Sequence, residues 1–177
     1  MARRNRKSRK SRRSKKAGVV TNSLGRTPYW SKPSEPGAVV PRSLVEQARA
    51  FTAPRGRLEM GGLLVGHIDD QGRNVCVAGF FPEQTEATPG YCEFDGSWMA
   101  VCADAMWHAN EHGSEGDSDV PKIRIIGWIH THPDLGIFLS GTDQATYRAN
   151  MRSSPDGRFL AVVVDPLRGG GWCLHLS

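Results

Sequence analysis

The sequence predicts an α/β protein in which one mixed β-sheet is flanked by helices. Segments with the β-branched, apolar composition of strands and segments with the apolar periodicity of helices both occur, and they do not alternate strictly along the chain. No internal repeat is visible. About 140 residues have a globular composition, which is enough for one core of ordinary domain size. We therefore expect a single folded domain.

The predicted elements follow one another in this order. Pro33 to Pro41 is expected to be a linker because it is rich in Pro, and Ser43 to Ala50 a first helix. Gly61 to Ile68 and Asn74 to Phe81 are expected to form an antiparallel hairpin around a polar turn, and Pro82 to Tyr91 a loop. The remaining predicted elements are a helix (Ser97–Glu111), a strand (122–130), a helix (143–151), a strand (159–164) and a short strand (Trp172–Leu176).

The charged residues divide the chain into two parts. Residues 1–16 contain ten Lys or Arg and no Asp or Glu. The chain has 23 basic and 18 acidic residues in all, so the part after residue 16 carries a net charge of −5 although the whole chain carries +5. A basic segment of such low hydrophobicity is expected to be disordered. We expect residues 1–36 to form a disordered basic tail and linker, and residues 37–177 to form the domain.

The basic tail permits several interpretations. It can contact the phosphates of a nucleic acid, bind an acidic partner, or be a solvated segment without a specific role. Its Arg- and Ser-rich composition also resembles an organelle transit peptide, although it lacks the apolar face of one. The tail has no apolar core of a signal peptide, and no apolar run approaches the roughly 18 residues of a membrane span. No membrane contact is expected.

The four cysteines are Cys76, Cys92, Cys102 and Cys173, and no two of them form a Cys-x-x-Cys pair. Scattered cysteines of this kind are typical of reduced core thiols and not of a disulfide framework or a second metal site. A cytoplasmic location is therefore expected. A remote, exposed pair remains an alternative.

Two histidines lie at the end of the strand predicted at residues 122–130, and a carboxylate follows in the next helix. Because alternate side chains of a strand leave the same face, His130 and His132 are expected to project together. Pro133 ends this strand, and Asp143 lies in the first turn of the next helix. These three side chains can hold one Zn²⁺ and leave its fourth tetrahedral position open, which is the pattern of a catalytic zinc.

Each half of this pattern also has a structural interpretation. His-x-His is common, and residues 140–143 form an ordinary helix start with Ser as N-cap. A second zinc motif competes with it, because His108, Glu111 and His112 match the His-x-x-Glu-His signature of inverted zinc peptidases. That chemistry needs a distant third ligand, typically a Glu, and no Glu follows Glu115. We therefore expect these two histidines to be exposed at a helix end.

The complete spacing resembles that of the JAMM (JAB1/MPN/Mov34) metalloenzyme family. The family motif is an upstream Glu, then His-Ser/Thr-His-Pro, then Ser-x-x-Asp. In this chain the seven residues from Pro133 to Leu139 separate His132 from Ser140, as in the family. The segment 58–66 resembles the one that carries the upstream Glu. Further similar segments are Gly127-Trp128 and 159–166, and the resemblance covers roughly residues 40–177.

The resemblance implies a role for each residue of the motif. His130, His132 and Asp143 would bind one Zn²⁺ per chain, and zinc lowers the pKa of a bound water to about 7. Glu59 would act as the general acid/base, a contribution of about a hundredfold or more. Ser140 would donate a hydrogen bond to the tetrahedral oxyanion, which is worth about 3 kcal/mol. Without the motif, Glu59 would be interpreted as a solvated residue before a strand.

The family resemblance also implies a single JAB/MPN domain and a substrate class. Members of this type mostly hydrolyse isopeptide or peptide bonds after the C-terminal tail of ubiquitin or a ubiquitin-like protein. The resemblance implies that the loop at Pro82 to Phe94 pairs with that tail, which would be added to it as a strand. The chain has no long insertion after Asp143, which favours a compact prokaryotic-type enzyme. Such an enzyme would mature or remove a ubiquitin-like modifier beside E1- and E2-like proteins, as in antiviral conjugation systems.

Three other functions remain open at this level. A peptidase that releases an amino acid from a sulfur-carrier protein would use the same residues. A nucleic-acid-associated protein is suggested by the basic tail, but the DNA-repair branch of the superfamily has Pro where this chain has Leu139. A catalytically silent scaffold is the third, although such relatives have lost ligands that this chain retains.

Overall fold

The structure is a computed structural model that describes residues 37–112, 120–168 and 170–174. The tail and linker predicted at residues 1–36 lie outside the described residues. The described strands and helices are β1 (Ala38–Val39), α1 (Arg42–Thr52), β2 (Gly61–Ile68), β3 (Asn74–Phe80), β4 (Gln84–Thr88), β5 (Tyr91–Phe94), α2 (Ser97–His112), β6 (Arg124–Thr131), α3 (Gly141–Ser153), β7 (Leu160–Asp165) and β8 (Gly170–Leu174).

The described strands form one six-stranded sheet and a separate two-stranded sheet. The larger sheet has the order β1-β3-β2-β6-β7-β8. β2 runs antiparallel to β3 and β6, whereas β6 and β7 are parallel because α3 connects them. The prediction of a mixed sheet flanked by helices is therefore confirmed.

The helices cover the two faces of the large sheet. On one face, Leu44, Val45 and Ala48 of α1 pack in a buried cluster with residues of β2, β3, β6 and β7. On the other face, α2 contributes buried Cys102 and α3 contributes buried Tyr147. None of the described helices is long and apolar enough to cross a bilayer.

Two segments differ from their predictions. Pro82 to Tyr91 is not a loop, because β4 and β5 form an antiparallel hairpin over Gln84–Phe94. β4 is polar and lacks the apolar alternation that marks a half-buried strand, so composition favoured a loop. The predicted linker ends in β1, whose two residues pair in parallel with the start of β3. Two residues are too few to give a periodic signal.

Close backbone contact sets the position of β6 beside β7. A Cβ added at Gly127 would lie 2.2 Å from the carbonyl oxygen of Leu160, so only glycine fits there. The register that follows pairs His130 with Val163. The end of β6 that carries the histidines is thereby placed against the central part of β7.

Candidate metal centre

The three predicted metal ligands lie together where β6 ends and α3 begins. The Nε2 atoms of His130 and His132 are 2.9 Å apart, and they lie 3.5 and 3.6 Å from Oδ2 of Asp143. A tetrahedral zinc with bonds of about 2.0–2.1 Å holds its ligand atoms about 3.3 Å apart. Both histidines are buried and Asp143 is half-buried. Donor type and spacing thus fit one zinc ion.

The protonation of these groups also suits a metal. Burial lowers the pKa of His130 and outweighs the opposing effect of the Asp143 carboxylate, so its imidazole is neutral. Burial raises the pKa of Asp143, but hydrogen bonds from His130 and His132 outweigh it and hold the pKa below its ordinary value. Neutral imidazole and ionised carboxylate are the forms that bind zinc.

Aromatic rings hold the two imidazoles from the side. The indole of Trp128, two residues earlier on the same face of β6, stacks on His130 with ring centroids 4.4 Å apart and an interplanar angle of 13°. The ring of Phe138 lies 4.8 Å from that of His132. Neither histidine Nδ1 has a hydrogen-bond partner among the described residues. Ring packing therefore orients the two imidazoles, a role that a hydrogen bond to the second ring nitrogen commonly has in metal sites.

Ser140 and Asp143 form a capping box at the start of α3. The Asp143 N–H donates to Ser140 Oγ at 3.2 Å, and the Ser140 N–H donates to Asp143 Oδ2 at 2.6 Å. The helix-start interpretation is therefore confirmed, and it is compatible with a metal site because the same carboxylate oxygen faces both histidines. Since Ser140 Oγ accepts this bond, its proton can still be donated.

Glu59 lies before β2 and its carboxylate faces the histidines. The side chain is buried, and its Oε1 is 3.6 Å from Nε2 of His132. Burial raises the pKa of Glu59 to about 7. The electrostatic interaction with His132 lowers this pKa, but its effect is smaller than that of burial. A carboxyl group with a pKa near 7 can take up and release a proton at neutral pH.

Two backbone contacts fix the position of Glu59. Its N–H donates to the carbonyl of Thr88 at 2.8 Å. The next residue, Met60, donates to Thr131 Oγ1 at 3.0 Å and accepts from the Thr131 N–H at 2.9 Å. Thr131 thus joins the Glu59 segment to the histidine segment. Nothing in the sequence pattern marks Thr131 for this role, although strand alternation places its side chain on the face of β6 opposite to that of His130 and His132.

The β4–β5 hairpin borders this site. The Gln84 side chain accepts from the Gly61 N–H at 2.9 Å and donates to the Gly61 carbonyl at 3.0 Å, so it attaches the hairpin to the start of β2. Cys92 of β5 is half-buried beside Gly61, and burial raises the pKa of its thiol to about 12. Cys76 and Cys102 are buried free thiols as predicted, whereas Cys92 is not a core residue.

The competing zinc motif does not form a metal site in the described part of the chain. His108 and His112 are exposed on α2, and their rings stack 5.9 Å apart. Within residues 37–112, 120–168 and 170–174, the group that meets the geometric requirement for a metal ion is His130, His132 and Asp143. The prediction of two exposed histidines at a helix end is confirmed.

Comparison with known proteins agrees with this fold. Residues 41–172 match the family model described as prokaryotic homologs of the JAB domain. Two relatives are COP9 signalosome complex subunit 5 of Drosophila melanogaster, 30% identical over 81% of this chain, and that of Saccharomyces cerevisiae, 27% identical over 77%. The alignments cover 39% and 31% of those two proteins. The chain spans about a third of the length of the curated relatives it matches.

The match over most of the domain, together with the mixed sheet, defines the class of protein. This chain belongs to the JAMM/MPN family and contains one JAB domain.

Proposed function

We propose that this chain is a zinc-dependent isopeptidase or peptidase that hydrolyses the amide bond after the C-terminal tail of a ubiquitin-like protein. The proposal assigns residues 37–177 to the catalytic domain. The observation that carries it is the group of buried His130, buried His132 and half-buried Asp143, with the separate carboxylate of Glu59 3.6 Å from His132. Deconjugation and precursor maturation would use the same centre.

Each residue has a chemical task in this proposal. Zinc held by His130, His132 and Asp143 would supply Lewis-acid chemistry that makes water a nucleophile near neutral pH. Glu59 accepts the proton of that water at its carboxylate and returns it to the leaving nitrogen. Ser140 donates its hydroxyl proton to the oxygen on which negative charge develops. β6 and the capped start of α3 hold the two histidines, Ser140 and Asp143, whereas contacts with Thr88 and Thr131 hold the Glu59 segment.

The β4–β5 hairpin is the element proposed to receive the extended tail of the substrate. Among the described residues, neither strand of this two-stranded sheet pairs with a strand of the main sheet. An extended peptide can therefore add to its edge through backbone hydrogen bonds. The contact from Thr88 to the Glu59 N–H places the hairpin directly beside the proposed acid/base. E1- and E2-like proteins of the same conjugation system, as in antiviral defence, are the partners that this proposal implies.

A cleavage assay on the purified, zinc-loaded chain tests the proposal. The substrate is a ubiquitin-like protein with a C-terminal fusion, and the expected result is cleavage at the end of the modifier that stops when a chelator is added and returns with Zn²⁺. A sulfur-carrier protein bearing a C-terminal amino acid is tested in parallel. Release from that adduct alone would replace the ubiquitin-like substrate by the small-adduct alternative. Zinc-loaded chain that cleaves neither substrate would contradict the proposal.

Replacing Ser140 separates its catalytic task from its structural one. Ser140→Ala removes both the hydroxyl donor and the N-cap, whereas Ser140→Gly removes the donor at a cost of only about a few tenths of a kcal/mol in helix stability. We expect kcat to fall by about 10²- to 10³-fold in both variants. Thermal unfolding should shift clearly only in the alanine variant. Wild-type kcat in Ser140→Gly would remove Ser140 from the mechanism.

A further inference from the structure

A buried carboxylate that lies outside the metal centre holds the loop between the proposed ligands. Asp165 is the last residue of β7 and is 1% exposed. β7 runs beside β6, and the His132 N–H donates to the Val164 carbonyl at 2.8 Å. The Asp165 side chain therefore begins one residue beyond the backbone contact to a proposed ligand.

Backbone N–H groups of two separate segments converge on this carboxylate. Oδ1 accepts from Asp134 N at 3.0 Å and from Leu167 and Arg168 N at 3.1 Å. Oδ2 accepts from Gly136 N at 3.0 Å. Four donors on two oxygens use about all the acceptor capacity of an ionised carboxylate. The nearest cation in the described ion pairs, Arg168 Nε, lies 3.8 Å away, so peptide groups are its hydrogen-bond partners.

The loop of residues 133–139 depends on such an anchor. It joins His132 to Ser140, and thus one proposed ligand to the helix start that carries another. Asp134 has a φ of 65° and Gly136 a φ of 89°, both in the left-handed region. Such a backbone persists when surrounding contacts over-determine it. Arg168 and Arg57 pair with the Asp134 carboxylate from outside, each at 3.0 Å.

We propose that Asp165 is a positioning residue of the metal centre: by binding the N–H groups of Asp134 and Gly136, it sets the loop that places the start of α3 opposite the histidines. The inference rests on the proposed function of that centre. Asp165 is not a ligand. It acts through the loop, and its loss would move Asp143 relative to His130 and His132.

Two variants disturb the same loop in different ways. Asp165→Asn turns an N–H group toward backbone donors and so loses at least one of the four hydrogen bonds. Gly136→Ala forces a residue with a Cβ into a left-handed conformation, although the added atom meets nothing within 4 Å. Matched controls are Asp156→Asn, which loses the surface ion pair with Arg124, and Gly157→Ala at φ 65° in open space. The Asp156 turn pairs with Arg124, at the opposite end of β6 from the histidines.

The first measurement is zinc affinity, by competition with a chelating indicator on the full chain at a temperature where every variant is folded. We expect Asp165→Asn and Gly136→Ala to bind zinc about 10- to 100-fold more weakly than the wild type, the range typical for loss of the outer groups that orient metal ligands. Asp156→Asn and Gly157→Ala should keep wild-type affinity. In the cleavage assay, kcat of the loop variants should fall while KM stays close to that of the wild type.

Wild-type zinc affinity in both loop variants, with only a lower unfolding temperature, would mean that Asp165 merely stabilises the fold. An equal loss in the control variants would also overturn the proposal. If Asp165→Asn does not fold, Gly136→Ala decides the question. The zinc measurement uses no substrate, so a wild type that binds zinc without cleaving would contradict the proposed function alone. A wild type that binds no zinc would contradict both.

Discussion

Glu59→Gln is expected to keep zinc bound and to lower kcat by about 10²- to 10⁴-fold, the usual contribution of a general acid/base. Gln has the same shape and fills the same buried site, but it cannot accept and return the proton of the nucleophilic water. Glu59 lies outside the group formed by His130, His132 and Asp143, so the metal should be unaffected. Zinc content by elemental analysis and single-turnover cleavage measure the two expectations separately.

The matched control for this variant is Glu46→Gln. Glu46 is an exposed glutamate of α1, outside the proposed catalytic and substrate-binding elements, so the same chemical change there should leave both zinc content and kcat close to wild type. A wild-type rate in Glu59→Gln would mean that another group moves the proton. Loss of zinc together with activity would mean that Glu59 is itself a ligand. This alternative has to be tested because Glu59 Oε1 lies only 3.6 Å from Nε2 of His132.

Asp143→Asn and His132→Ala are expected to lose zinc and activity together. Zinc binds an ionised carboxylate far better than a neutral amide, and an alanine offers no donor at all. The loss of affinity should exceed the roughly 10- to 100-fold that removal of a hydrogen-bond partner of a ligand costs. An Asn at position 143 can still accept the bond from the Ser140 N–H, so α3 should remain capped and the variant folded.

Zinc content and circular dichroism of the purified variants check this expectation. The double variant His108→Ala/His112→Ala is the control, because both residues are exposed on α2 and should be irrelevant to zinc. Full zinc occupancy in Asp143→Asn and in His132→Ala would place the ligands elsewhere. Loss of zinc in the His108/His112 control would point to the other motif.

The candidate metal-binding group could be predicted from the sequence because its members are close along the chain. His130 and His132 follow an apolar strand that fixes their common face, and residues 140–143 are a recognisable helix start. The same local rules predicted the long strands and helices. Glu59 could be assigned only through the family resemblance, since it lies 71 positions before His130 and nothing local distinguishes it.

The hairpin and its attachments could not be predicted in this way. β4 has a polar, loop-like composition, and it becomes a strand because it pairs with β5 and because the Gln84 side chain binds the backbone of Gly61. Thr131 and Asp165 are likewise ordinary residues of apolar strands until the fold brings backbone groups against their side chains. Their partners lie 71 and about 30 positions away along the chain.

Local patterns of the chain therefore determined which residues are able to bind a metal and which strand faces they occupy. Tertiary structure decided what holds those residues at binding distance: the contact of Thr88 with Glu59, the Thr131 link to Met60, and the Asp165 anchor of the loop. The physical reason is that periodicity and helix capping act over a few residues. Hydrogen bonds between distant segments exist only once the sheet has formed and placed them together.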